Sequence, residues 1–124
     1  MTIQVLAIDD SRTIRNLVRK AMEDAGFRCD TAEDGVQGVE RFADLMPDVV
    51  ITDINMPRMD GFGVISAIRG GSVLRTVPIL VLSTEWAPPL KARARSAGAT
   101  GWIVKPFSEP ELVSVVRRVT GAQN

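Results

Sequence analysis

The sequence predicts a doubly wound α/β domain, a five-stranded parallel sheet covered by five helices. Three observations carry this. Short β-rich apolar runs alternate with segments whose apolar residues recur at the helical period, five of each, which is the signature of βαβ units and a sheet buried on both faces. The 124 residues, 45% of them hydrophobic and 24% charged, suffice for one core and not for two. No internal repeat, linker or low-complexity tract interrupts the alternation.

The first strand is read at 3–8, an unbroken apolar run except for Gln4. From Ser11 a helix follows with Ile14, Leu17, Val18, Ala21, Met22 and Ala25 inward and Gly26 as its stop. A weaker strand occupies 27–32. Asp34 with Gln37 resembles a capping box opening the second helix, which runs to about Leu45 and ends before Pro47. Residues 48–52 form the third strand, and the turn-rich 55–61 leads to a helix with Val64, Ile65 and Ile68 inward, closed by Gly70 and Gly71. The fourth strand, 78–82, is the most apolar. The helix after it, 89–97, is the poorest: Leu90, Ala94 and Ala97 face inward while Lys91, Arg93 and Arg95 crowd its surface. A short fifth strand at 101–104 precedes a helix capped by Ser108 with Glu111, its inner face made of Leu112, Val115, Val116 and Val119 before Gly121. Gly121 and the three residues after it read as a natural chain end.

Composition removes several functions. Fifteen basic and fifteen acidic residues leave no net charge, against a dedicated nucleic-acid binder. The absence of His removes His-based acid/base chemistry, Ser-His-Asp triads and His-ligated metals. A single cysteine, Cys29, supports neither a disulfide nor a CxxC site and suits a reducing, cytoplasmic setting. Apolar runs far below about 18 residues leave no signal peptide or membrane span.

In an open parallel sheet, function collects beyond the C-terminal ends of the strands. There the sequence places Asp9 and Asp10, Asp53, Ser83 and Thr84, and Lys105 and Pro106. Each has a plainer reading alone: a helix cap for Asp9, Asp10 or Ser83, a turn former for Asp53, a solvated lysine for Lys105. Those readings do not explain why all of them fall on one rim. Three clustered carboxylates repel one another unless a cation joins them, and a hard cation such as Mg²⁺ binds through one or two carboxylates while keeping waters that a phosphate can displace. Lys105 and the Ser83 hydroxyl suit phosphoryl oxygens, and with no His available one of the aspartates would be the nucleophile.

Asp9-Asp10, the segment Asp53-Ile54-Asn55-Met56-Pro57-Arg58-Met59-Asp60-Gly61, Ser83-Thr84-Glu85 and Trp102-Ile103-Val104-Lys105-Pro106-Phe107 resemble the receiver domains of two-component response regulators over essentially the whole chain, most of all the single-domain CheY-like chemotaxis regulators. The resemblance implies a flavodoxin-like, CheY-like fold and one receiver domain over 1–124. It implies Asp53 as acceptor of a phosphoryl group from a phosphohistidine of a histidine kinase. Mg²⁺ would be held by Asp10, Asp53 and the Asn55 carbonyl, with Asp9 acting through a water. Lys105 and Ser83 would bind phosphoryl oxygens, with Thr84 and Trp102 completing the phosphate-binding and switch set. On activation the aromatic at Trp102 would turn inward, changing the partner preference of the face made by the fourth helix, fifth strand and fifth helix. The peptide before Pro106 would be cis, uncommon even for X-Pro bonds. Asn55 and Glu85 would flank the path of the hydrolysing water; both also read as plain polar rim residues.

The resemblance implies a self-phosphorylating and self-dephosphorylating switch rather than a turnover enzyme. Its partners would be the kinase and a downstream target, the flagellar motor switch if the process is chemotaxis. The same site would serve a phosphorelay carrier, a phosphate sink or an excised receiver domain of a larger regulator. Trp102 is bulkier than the usual Tyr or Phe, Pro88-Pro89 is unusual where the fourth helix begins, and Trp86 is not required by the motif. A haloacid-dehalogenase-type hydrolase would need its second aspartate two after the first, which Asp9-Asp10-Ser11 does not supply. A flavin-binding protein would need a Ser/Thr/Gly-rich phosphate loop where the two aspartates stand, and a pure scaffold would not need the carboxylates.

Overall fold

A computed structural model describes residues 2–121; the expected chain end, at 122–124, lies outside the described residues. Ten elements alternate strictly: β1 Gln4–Ile8, α1 Arg12–Asp24, β2 Arg28–Ala32, α2 Gly35–Leu45, β3 Val49–Thr52, α3 Gly61–Arg69, β4 Ile79–Ser83, α4 Pro88–Ala97, β5 Gly101–Val104 and α5 Glu109–Thr120. All strand pairs are parallel, in the order β2-β1-β3-β4-β5. Among the described residues no helix is long and apolar enough to cross a membrane.

The pleat divides the core in two. Leu6, Ile8, Val50, Ile79 and Val81 pack under α2, α3 and α4 with Phe42, Val64, Ile65, Ile68 and Ala94. Val5, Ala7, Val49, Ile51, Leu80, Leu82 and Ile103 pack under α1 and α5 with Val18, Met22, Leu112 and Val116. Covered on both faces, the central strands can be apolar at every position, and β3 and β4 are buried throughout.

Four expectations shift. Leu17 is 46% exposed, not inward: at about 100° per residue it stands a quarter turn from Val18, beyond the arc of Ile14, Val18, Ala21 and Met22. Neither Asp9 nor Asp10 caps α1; Ser11 does, its side chain accepting from the Ile14 N–H. At α2 the Asp34 carboxylate accepts from the Gln37 N–H, but the Gln37 side chain accepts from the N–H of Glu33, so the box closes one residue early. Helix α4 begins at Pro88 rather than Pro89, because the first turn needs no N–H from proline; its cap, Ala87, offers no side-chain bond.

Candidate functional site

The strand order reverses direction of growth between β1 and β3, and the loops leaving these neighbours open a crevice at the sheet's C-terminal edge. Asp9 and Asp10 follow β1, and Asp53 follows β3. Carboxylate oxygens of all three lie within 4.8 Å of one another. Asp9 and Asp53 are buried, and Asp10 is exposed at the mouth.

Lys105, one residue past β5, joins the two buried acids. Its Nζ donates to Asp9 Oδ2 at 2.8 Å and to Asp53 Oδ2 at 3.1 Å. The remaining oxygens are held by main chain: Asp9 Oδ1 accepts from the Ser11 N–H at 2.9 Å, and Asp53 Oδ1 from the Ile54 N–H at 2.7 Å. Burial raises the pKa of Asp9 above its ordinary value despite the opposing bonds from Lys105 and Ser11. Burial, the largest influence on Lys105, lowers its pKa, but its bonds to Asp9 and Asp53 together outweigh that and raise it. Lysine is thus held charged between the two acids.

One cation among three carboxylates leaves negative charge uncompensated, and every available donor is a hard oxygen. That donor set fits Mg²⁺, with exposed Asp10 on the side from which a hydrated ion would enter.

Ser83 ends β4, fully buried, and its Oγ accepts from the Glu85 N–H at 3.2 Å. Its hydroxyl hydrogen is therefore free to be donated elsewhere. The Glu85 carbonyl in turn accepts from Trp102 Nε1 at 2.9 Å. The backbone of one residue, Glu85, thus links the serine hydroxyl to the indole of β5. Beside them the Lys105 N–H donates to the Ser83 carbonyl at 2.8 Å, and the Lys105–Pro106 peptide is cis.

Of the residues singled out in the sequence, the structure joins Asp9, Asp53 and Lys105 directly, sets Asp10 beside them, and links Ser83, Glu85 and Trp102 in a second chain. Thr84 and Asn55 are exposed on the rim. Trp86, 69% exposed, stands outside both sets. Sequence reasoning missed three supports. Asp60 caps α3 through the Gly63 N–H. Gly61 lies against the Asp53 backbone, where a Cβ would come 2.3 Å from the Asp53 carbonyl oxygen. Arg15 donates from α1 to the Asp9 carbonyl at 2.8 Å. The acid three residues before Gly63 was a readable cap signal; the other two have no pattern in sequence.

Comparison with known proteins agrees with this architecture. Residues 5–117 match the family described as the response regulator receiver domain. Protein PilG of Pseudomonas aeruginosa is 33% identical over 115 residues, 93% of this chain and 85% of that protein. The chain spans only 14% and 50% of two longer curated relatives, a sensor histidine kinase and a response regulator. Among solved structures, the chemotaxis protein CheY4 of Vibrio cholerae superposes with a TM-score of 0.92 at 41% identity, covering 96% of this chain and 99% of that one. A response regulator of Burkholderia multivorans gives 0.80 at 44% identity, covering 97% and 96%.

Proposed function

This chain belongs to the response regulator receiver family, and from that premise we propose that it is a phosphorylation-driven switch in which Asp53 accepts a phosphoryl group from a phosphohistidine of a histidine kinase. The observation that carries the reading is the Lys105 ammonium shared by Asp9 and Asp53, with Asp10 at the open side. An Asp53 carboxylate oxygen attacks phosphorus in line; the new P–O bond forms as the P–N bond to imidazole breaks, and the imidazole leaves. Mg²⁺, held by Asp10, Asp53 and the Asn55 carbonyl with Asp9 through a water, would neutralise charge on the transferring group. Lys105, bonded to the Asp53 carboxylate, would take up the rest of that charge.

Ser83 then supplies the switch. Its free hydroxyl hydrogen can be donated to a phosphoryl oxygen, and any shift of Oγ acts on the Glu85 N–H bound to it. The Glu85 carbonyl passes that shift to Trp102. Phosphorylation biases α4, β5 and α5 only so far as these contacts differ between two states. Thr84 lies beside Ser83 on the phosphate-binding rim, while Asn55 and Glu85 tune access of the hydrolysing water. The likeness to CheY4, a chemotaxis protein, makes chemotaxis the favoured process; a motor-switch protein would then be the target and the cytoplasm the setting.

Intact mass after incubation with Mg²⁺ and acetyl phosphate tests the reading. One added phosphoryl group, absent in Asp53→Asn and in chelator, is expected. No adduct, together with no response to the phosphate mimic beryllofluoride, contradicts it.

A further inference from the structure

We infer that Arg15 is a positioning residue for the metal site, acting through the Asp9 carbonyl to set the direction of Asp10. The inference rests on the proposed Mg²⁺ site and concerns a residue outside it.

Arg15 belongs to the first full turn of α1, its N–H donating to the Ser11 carbonyl at 2.9 Å. Its half-buried side chain folds back along the helix, and Nη1 reaches the Asp9 carbonyl at 2.8 Å. Every polar group of Asp9 is then held: the N–H by the Ala32 carbonyl, the carbonyl by Arg15, one carboxylate oxygen by Ser11 and the other by Lys105. Asp10 is the opposite case. It is exposed, and among the described residues its carboxylate has no hydrogen bond or ion pair. Its direction is therefore set by its own backbone, and that backbone begins with the planar peptide whose oxygen Arg15 holds.

A guanidinium bonded to the Asp9 main chain also has an electrostatic effect on the acidic site, with the opposite sign. As a cation it opposes a divalent ion, so its removal would tighten binding if charge were its only influence. Its Nη1 donates to a main-chain carbonyl, whereas the cation engaging the Asp9 and Asp53 carboxylates is Lys105. Partners that orient a ligand without touching the metal commonly change affinity by about 10–100-fold when lost, and positioning is expected to win.

Calorimetric Mg²⁺ titration of the full chain decides it, with circular dichroism as the folding control. Arg15→Met keeps the packing and removes donor and charge together; its Mg²⁺ Kd should rise by about tenfold. Arg15→Gln removes the charge but keeps an amide donor on a shorter stem, and its Kd should rise less. An unchanged or lower Kd in either folded variant overturns the inference. Wild type and Asp10→Asn separate this from the underlying reading. If wild type binds no Mg²⁺, or Asp10→Asn binds it equally well, the acidic site itself is withdrawn and Arg15 with it. If both controls behave and only the Arg15 variants match wild type, the positioning role alone falls.

Discussion

Cys29 illustrates how burial by itself decides a side chain's chemistry. It sits in β2 with its thiol in the α1/α5 half of the core, and burial pushes its pKa from 9.0 up to about 12. The unfolded chain ionises first as pH rises, so the neutral thiol contributes stability that is intact below pH 9.0 and is lost between there and about 12. The loss should approach about 1.4 kcal/mol per pH unit within that window. Denaturant titrations at a series of alkaline pH values should show it in wild type and not in Cys29→Ala, and the native thiol should resist disulfide reagents that modify the unfolded chain. Equal alkaline slopes in the two proteins would contradict the assignment. Placement was readable where residues stand at strand ends: Asp9, Asp10, Asp53, Ser83 and Lys105 all fall on the rim where the sequence put them. Arg15 was not readable, because a guanidinium bonding a carbonyl leaves no pattern in sequence. Leu17 was misplaced because apolar character alone does not say which edge of a helical stripe stays covered.

At the scale of elements, α4 is the informative one. Its weak amphipathicity was legible, and the structure shows what replaces a core. Ala94 is its one buried residue, and no side chain caps its start. Two arginines fasten it to α3 instead. Arg93 lies over the Phe62 ring at 3.8 Å, a contact worth about 0.5–1 kcal/mol at an exposed site. Arg69 donates from α3 to the Gly98 carbonyl through Nε at 3.0 Å and Nη2 at 2.8 Å, and through Nη1 to the carbonyls of Arg75 and Val77. Gly98 is the left-handed C-cap of α4, with φ +116, and a Cβ there would meet the Arg69 side chain at 2.9 Å. One guanidinium thus ties the end of α4 to the loop before β4. Arg69→Ala should cost about 2 kcal/mol, the range for charged hydrogen bonds lost to partly buried carbonyls. It should also raise amide exchange in α4 far more than in α1. A uniform rise across both helices would mean that Arg69 serves global stability alone. In the sequence Lys91, Arg93 and Arg95 only crowd the surface of this helix; that Arg93 covers an aromatic ring depends on a residue thirty-one positions earlier, beyond the reach of local pattern.

For the molecule as a whole, element order decides where chemistry can occur. Strict alternation makes the sheet parallel, parallel strands deliver their C-terminal ends to one edge, and the β2-β1-β3-β4-β5 order makes β1 and β3 neighbours. That adjacency brings Asp9 and Asp10 beside Asp53, more than forty positions away in sequence. Period and composition made the alternation legible, and strand-end residues made the acidic rim legible. Which bonds the acids form was not, since Lys105 could equally have faced solvent. The central claim is that Asp53, the buried acid clamped by Lys105 and the Ile54 N–H, becomes an acyl phosphate. Borohydride reduction is the most direct measurement, because it converts an aspartyl phosphate to homoserine at the residue that carried it. Peptide mass spectrometry after phosphorylation and reduction should find homoserine at position 53 and unaltered aspartate at 9 and 10. Homoserine at Asp9 or Asp10, or at none of the three in protein shown to carry phosphate, would contradict the account.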